Sequence, residues 1–288
     1  MMTEASGACE IARLPKELLS AALALTTPRD VCRAAAVSRD FHKAAGSDAV
    51  WACFLPPPGD VPSMEEPSGG PAPRSKKEEF LLLSDGDHSL LLADGLTSSW
   101  LDRETCAKCY MIPARALHIS WGDTPSYWRW IRLPYYRFEA AELVYVFWFE
   151  IRGKIPGKML SQGSAYAAYI VFKTTDQSTG LGYPPLKASV ISVAGWKSSC
   201  QVSLQSYDDS EYEDGAMPYT CSVPHGWRAL CRDLVLPQER GDGWMELELG
   251  VFYKDGDDGE VGFSLLQTQA HVKRGLIVQG IEIRPANR

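Results

Sequence analysis

Apolar positions along this chain keep one period at the start and another for most of the rest. Between Glu10 and Leu55 they recur at helical spacing in short blocks. Leu14-Pro15-Lys16-Glu17 puts a proline at a first helical turn with an acid beside it, and Leu18, Leu19, Ala22 and Leu23 follow on one stripe. Thr27-Pro28-Arg29-Asp30 predicts a second helix, with Thr27 as cap, Pro28 at the first helical position and Asp30 placed to reach back. Ser38 opens a third, carrying Phe41, Ala44 and Ala45 and ending near Gly46. Ser47 or Asp48 opens a fourth, bearing Val50, Trp51 and Phe54. Each is too short to persist alone in water, so they must pack on one another and on a partner.

Pro56-Pro57-Pro58-Gly59 ends this part, and residues 56–77 are Pro, Gly, Ser and acid with almost no large apolar side chain. Such a segment buries too little to order itself and reads as a flexible linker. Phe80 to Leu83 and Leu90 to Leu92 suggest helical turns. From Cys109 onward the period is two. Leu143, Tyr145, Phe147, Phe149 and Ile151 alternate with Val144, Val146 and Trp148, which predicts a central strand covered on both faces. Tyr166 to Phe172 reads as a strand. Met245, Leu247, Leu249 and Val251 alternate with Glu246 and Glu248, a half-solvated strand, and Phe252 to Gly259 turns the chain into Val261, Phe263 and Leu265. Leu276 to Ile283 is the last strand. Many short strands separated by turn signals predict an antiparallel β-sandwich of jelly-roll type. The expected division is 11–55 helical, 56–77 linker, and 78–288 β with a core at about 106–285.

Composition narrows the function classes. The 288 residues are 45% hydrophobic and 23% charged, as in ordinary globular chains, and the net charge of −7 argues against nonspecific nucleic-acid binding. No apolar run approaches the roughly 18–20 residues that cross a bilayer, and Met1 to Glu10 lacks the layout of a secretory signal, so a cytoplasmic or nuclear location is expected. The 8 cysteines are scattered and read as reduced thiols. Cys106-Ala107-Lys108-Cys109 lacks the second pair that a structural zinc site wants, so no metal or cofactor is expected.

The densest chemistry is Ser120-Trp121-Gly122-Asp123-Thr124-Pro125-Ser126-Tyr127-Trp128-Arg129-Trp130, which sets three Trp, a Tyr, an acid and a guanidinium behind a turn. Indoles that stack on sugar rings, with an acid accepting from hydroxyls, are usual in carbohydrate sites; the same residues also fill cores. Glu246 and Glu248 share one strand face about 7 Å apart. That separation meets the about 5–9.5 Å between glycosidase carboxylates, but both acids point the same way rather than flanking a substrate. No nucleophile elbow, phosphate loop or zinc helix is present, so no catalytic residue is assigned.

Residues Ile11 to Leu55 resemble an F-box, on Leu14-Pro15-Lys16-Glu17-Leu18, Pro28-Arg29-Asp30-Val31-Cys32-Arg33, Val37-Ser38-Arg39-Asp40-Phe41 and Asp48-Ala49-Val50-Trp51. The first helix departs from that family in its alanines, Ala21, Ala22 and Ala24. The resemblance implies docking on the Skp1-type adaptor of a cullin ubiquitin ligase, through Leu14, Pro15, Leu18, Pro28, Val31, Val37 and Trp51. Most of Cys106 to Pro285 resembles the phloem protein 2 family of plants. The match lies in Lys108-Cys109-Tyr110-Met111, Trp121-Gly122-Asp123-Thr124-Pro125, Trp148-Phe149-Glu150-Ile151-Arg152-Gly153, Gly243-Trp244-Met245-Glu246 and Gly280-Ile281-Glu282-Ile283-Arg284-Pro285. That family includes a tobacco lectin for N-acetylglucosamine oligomers, with two Trp and two Glu implicated in the sugar site. The Trp pair carries over to Trp121 and Trp128. The acids carry over to Glu246 and Glu248, with Glu260 as another candidate. Lys76-Lys77 is the only approach to the Lys-rich nuclear address that some family lectins carry.

Together these resemblances imply a non-catalytic substrate receptor of an SCF-type ubiquitin ligase, which takes up a client, glycosylated or not, on the β domain. Two alternatives stand beside it: a cytoplasmic or nuclear lectin without ligase role, and a protein-interaction module that has lost sugar binding. No membrane or nucleic-acid partner is implied.

Overall fold

The computed structural model describes residues 11, 14–57, 73–86, 89–134, 136–192, 195, 197–205, 234–256 and 258–286. Most of the expected linker, 58–72, lies outside these residues, as do Cys9, Cys221 and Cys231. The chain forms two compact units: Met1–Ala93 with Ser99–Ala107, and Asp94–Ser98 with Lys108–Arg288.

In the first unit the helices are α1 (Lys16–Leu23), α2 (Pro28–Ala35), α3 (Arg39–Ala45), α4 (Asp48–Ala52) and α5 (Lys76–Leu83). Their starts follow the sequence signals. Thr27 Oγ1 accepts from the Asp30 amide and Ser38 Oγ from the Phe41 amide, each at 3.2 Å. These bonds satisfy donors that a helix start leaves bare. Leu19, Leu23, Val31, Ala44, Val50, Trp51 and Phe54 form the core, and Phe80 and Leu83 of α5 join it. The helical core therefore takes in chain beyond Leu55. Two short strands, β1 (Leu90–Leu91) and β2 (Ser98–Leu101), follow α5.

The second unit holds β3 (Lys108–Pro113), β4 (His118–Ile119), β5 (Trp128–Ile131), β6 (Ala140–Leu143), β7 (Phe149–Pro156), β8 (Ser164–Thr179), β9 (Leu186–Ser192), β10 (Lys197–Val202), β11 (Gln238–Glu239), β12 (Met245–Lys254), β13 (Glu260–Gln267) and β14 (Arg274–Pro285). One sheet runs β3-β14-β8-β12-β11, with β6 also on β14 and β5 on β6; the other runs β10-β9-β13-β7-β4. Described neighbours within both sheets pair antiparallel. The expected antiparallel sandwich is what the chain forms. Its inner faces meet in a row of rings: Tyr166 stacks on Phe252 at 5.7 Å, and Phe252 meets Phe263 of the opposite sheet at 6.0 Å.

Three strand readings change. The alternation through Leu143–Ile151 is not one strand: β6 ends at Leu143, the chain crosses to the other sheet, and β7 begins at Phe149. Among the described residues between them, Val146 makes the one isolated bridge, a pair of 2.9 Å bonds with Lys273. A chain that changes sheets at a corner cannot bury both its faces, so Tyr145, Phe147 and Trp148 are exposed. In β12, a bulge between Glu248 and Gly250 reverses the alternation, so Phe252 and Lys254 face inward and Val251 outward. Gly250 has φ +149, and an added Cβ would stand 3.0 Å from Val190. Last, β12 and β13 belong to different sheets, so the turn between them crosses the sandwich rather than closing a hairpin.

Candidate functional site

The helical unit presents apolar residues that its own core does not use. α1 turns Leu19 and Leu23 inward, which is what holds so short a helix. Leu18 remains 55% exposed, with Ile11, Leu14 and Pro15 before it and Leu25 after the helix. Of the residues expected to meet an adaptor, Leu14, Pro15, Leu18 and Val37 are exposed; Pro28, Val31 and Trp51 are buried. The buried three cannot reach a partner directly. Trp51 donates Nε1–H to the Ala45 carbonyl at 2.6 Å, and its ring packs on Phe54 and Phe80. It sets the distance between α3, α4 and α5, and so shapes the surface from beneath. The sequence reading missed Ile11 and Leu25, although both lie next to the stripe it identified.

In the sandwich, the indoles of the Ser120–Trp130 run separate into opposite roles. Trp128, the first residue of β5, is 2% exposed and packs on Phe149 at 6.2 Å. The expected stacking face of Trp128 is thus filled by the core. Its Nε1–H donates to the Ser120 carbonyl at 3.1 Å, and Trp130 Nε1–H donates to the Gly122 carbonyl at 3.1 Å. These two bonds bracket Trp121, which is 58% exposed at φ +66. A bulky residue in the left-handed region is strained unless its surroundings over-determine it, and here the buried Trp128 and the half-buried Trp130 do so.

The exposed indole is not alone. Trp121 meets Tyr127 edge-on at 6.0 Å, and Tyr127 meets Tyr145 at 5.4 Å. The corner segment Val144–Trp148 is tied to this turn by the Val144 amide donating to the Tyr127 carbonyl at 2.9 Å. Lys273, wholly buried, anchors the same segment by donating to the carbonyls of Phe147 at 2.6 Å and Gln269 at 2.8 Å. Burial pushes its ammonium down to about 8. Glu150 lies alongside and accepts from Trp148 Nε1 at 2.9 Å and Ser120 Oγ at 3.0 Å, and also pairs with Arg152. The Trp148 bond, with Ser120 and Arg152, holds its carboxyl below the usual range. An edge of three rings can stack on an apolar ligand face, beside a carboxylate that is buried and already bonded by Trp148, Ser120 and Arg152. Tyr127 was noted within the aromatic run, but Tyr145 and Glu150 were not singled out from sequence. Both were read as part of one continuous strand.

The expected acids sit elsewhere. Glu246 on β12 is gripped by Arg284 at 2.5 Å and Arg240 at 2.9 Å, and the same two arginines hold Glu282 at 2.6 and 2.9 Å. Burial opposes the charge of Glu246, yet these guanidiniums keep its carboxyl below the ordinary range. Arg284 also lies 3.9 Å from the Tyr169 ring, whose hydroxyl donates to Glu248 at 3.5 Å. Neither acid shares a hydrogen bond or ion pair with Trp121 among the described residues. Glu260 pairs with Lys154 at 2.8 Å. Cys106 is pushed up to about 11, first by burial and then by Asp102, which makes it a poor nucleophile. Among the described residues no cluster of His, Cys, Asp and Glu could hold a metal ion. No helix there is long and apolar enough to cross a membrane.

Comparison with known proteins finds two families along the chain. The F-box-like family model matches residues 11–55, and the phloem protein 2 model matches 107–285. The chain is thus a protein with an F-box joined to a phloem protein 2 sandwich, and belongs to the phloem protein 2 family in its F-box-bearing form. Similar relatives come from Arabidopsis thaliana. The putative F-box protein PP2-B2 is 39% identical over 97% of this chain and 84% of its own length. F-box protein PP2-B1 is 39% identical over 94% and 89%.

Proposed function

We propose that this protein is a non-catalytic substrate receptor of an SCF-type ubiquitin ligase. The F-box docks on a Skp1-type adaptor, which joins it to the cullin complex, and the sandwich selects the client. The observation that carries this reading is the stripe of Leu14, Pro15 and Leu18, exposed on a unit whose core is already complete without it. A receptor of this kind needs no reacting group: it raises the local concentration of the client near the conjugating enzyme. Adaptor capture by wild type and by Leu18→Asp tests it. Capture by wild type and loss in the variant is expected; a wild-type chain that captures no adaptor rejects the proposal.

For the client side, the exposed Trp121–Tyr127–Tyr145 edge beside Glu150 favours a glycan, in keeping with the lectin in the phloem protein 2 family. On this proposal Trp121 supplies the stacking face. Trp128 contributes by holding the turn, and the choice among acids moves toward Glu150 from Glu246 and Glu248. Glycan-array binding by wild type, Trp121→Ala and Tyr145→Ala is the test. No sugar bound by wild type leaves the sandwich as a protein-interaction module instead, and undiminished binding by both variants rejects this edge as the glycan site. Location in cytoplasm or nucleus belongs to the same proposal, since the ligase works there.

A further inference from the structure

The outer face of the five-stranded sheet forms an open groove of about 850 Å³, on the other sheet from the one that carries Glu246. Its side chains form a lattice set by strand register. One row across the sheet is Lys197, Ile191, Gly262, Lys154; the next is Ser199, Ser189, Ser264, Arg152 and His118; the third includes Lys187 and Leu266. The middle strand, β13, contributes the small residues Gly262 and Ser264. Lysines stand on one side of it, Arg152 and Lys154 on the other.

Three observations make this more than an ordinary solvated face. First, the chain as a whole carries −7, yet the groove lining gathers four Lys and Arg against one carboxylate, Glu260, with the buried Glu150 at the end of the third row. Second, the cations are not spent equally. Arg152 is paired with Glu150 and Lys154 with Glu260, whereas Lys187 and Lys197 have no carboxylate partner among the described residues. Third, the fold does not require the gap. A Cβ added at Gly262 would meet only the Ile191 carbonyl, at 3.8 Å, whereas at Gly153 on the neighbouring strand it would strike Leu117 at 2.8 Å. Gly153 is a packing glycine; Gly262 leaves the groove floor open where nothing in the core demands it.

We propose that this groove binds an acidic, extended peptide segment of a client protein, laid along β13 between the two cationic walls. The spacing fits. Alternate side chains of an extended peptide repeat at about 6.6 Å, the same interval that separates Arg152 from Lys154 on β7. Lys187 on β9 stands two strand spacings from β7, roughly 9.5 Å, and Lys197 on β10 three, roughly 14 Å, which admits one extended chain. Carboxylates or phosphoserines on that chain meet Lys187 and Lys197, and Ile191 and Leu266 flank its apolar atoms. A sugar or a nucleic acid fits less well, because His118 is the one ring exposed among the described lining residues, and no Phe, Tyr or Trp there offers a stacking face. Phe263, the ring that does line its strand, is 2% exposed and points to the core. The substrate-receptor reading enters only in naming the peptide's owner as a client; the binding does not need the adaptor.

The test is fluorescence anisotropy with the full chain and a labelled peptide of about ten residues alternating Glu and Ser, long enough to span the sheet. A phosphoserine version, a Lys-for-Glu control, a heparin-derived oligosaccharide and a single-stranded oligonucleotide complete the set. The acidic peptides are expected to bind, more weakly as salt rises. Lys187→Glu with Lys197→Glu is expected to weaken binding on the order of tenfold or more. Gly262→Leu, which fills the floor at unchanged charge, is expected to weaken it too, with the melting temperature of both variants at the wild-type value. Adaptor capture is expected to be unaffected in both, so a failure here and a failure of the ligase reading appear in different assays. The proposal is overturned if the acidic peptides do not bind, if the oligosaccharide or oligonucleotide binds more tightly than they do, or if charge reversal leaves their binding unchanged.

Discussion

Replacing Arg284 by Met asks whether Glu246 serves the fold or waits for a ligand. Arg284 lies over Tyr169 and bonds Glu246 at 2.5 and 2.9 Å and Glu282 at 2.6 Å. The two carboxylates are only 13% and 6% exposed. Removing one partner of a buried ion pair costs about 3–5 kcal/mol, because it leaves a charge both dry and unpaired. Arg240 still bonds both acids at 2.9 Å. With that share retained, the loss should be about 2–3 kcal/mol. For a domain of this size that corresponds to a melting temperature lower by about 5–10 °C. The pH dependence has a definite sign. In the wild type Glu246 is held below its usual 4.5, so its contribution is present above that value and lost as pH falls through the lower, folded one. Without Arg284, burial raises the Glu246 carboxyl, which then takes a proton at mild acidity and escapes the penalty. The gap between wild type and variant should therefore narrow from pH 7 to about pH 4. Scanning calorimetry of the full chain at both pH values reads this directly. A melting temperature within about 1 °C of wild type at pH 7, or a gap that stays constant on acidification, would refute the reasoning and return Glu246 to the list of free ligands.

Other outcomes follow from the same geometry. Trp128→Ala removes a core indole and should cost about 3–5 kcal/mol in chemical denaturation, while Trp121→Ala should stay within about 0.5 kcal/mol, since only the first fills the interior. Trp51→Ala should likewise cost about 3–5 kcal/mol and abolish adaptor capture indirectly, by melting the helical unit, which circular dichroism would detect. Ser38→Ala should cost about 1 kcal/mol through the lost cap on α3. Lys273 binds its proton less tightly when folded, at about 8 against 10.5. Between those values the unfolded chain holds a proton that the folded one does not, so wild-type stability should rise relative to Lys273→Met as pH increases through that window. A parallel pH profile for the two would sink that account.

Much of this molecule is legible in its sequence. Helix starts were readable because a cap needs only a polar side chain and an amide three residues apart, as Thr27 with Asp30 and Ser38 with Phe41 show. Strand existence was readable where one face is buried, as in Val261, Phe263 and Leu265. Strand continuity was not. The alternation through Leu143–Ile151 looks uniform because rings suit a core and a ligand edge equally, and only the change of sheet after Leu143 divides them. The reversal in β12 was hidden for a related cause: a bulge moves every later side chain to the other face without altering composition.

The candidate site shows the same limit. Local sequence set the aromatic turn at Ser120–Tyr127 and the apolar stripe of α1, since both depend on near neighbours. Which indole faces water depended on distant chain. Trp128 is buried because Phe149, after the corner, lies against it, and Trp121 is held outward by two carbonyl bonds from Trp128 and Trp130. Likewise Glu246 reads as a solvated acid until Arg284 arrives from β14 and Arg240 folds back from the turn before β12. Spacing along the chain decides what a segment can form; long-range pairing decides which of its faces meets solvent, because burial is a property of what packs on top.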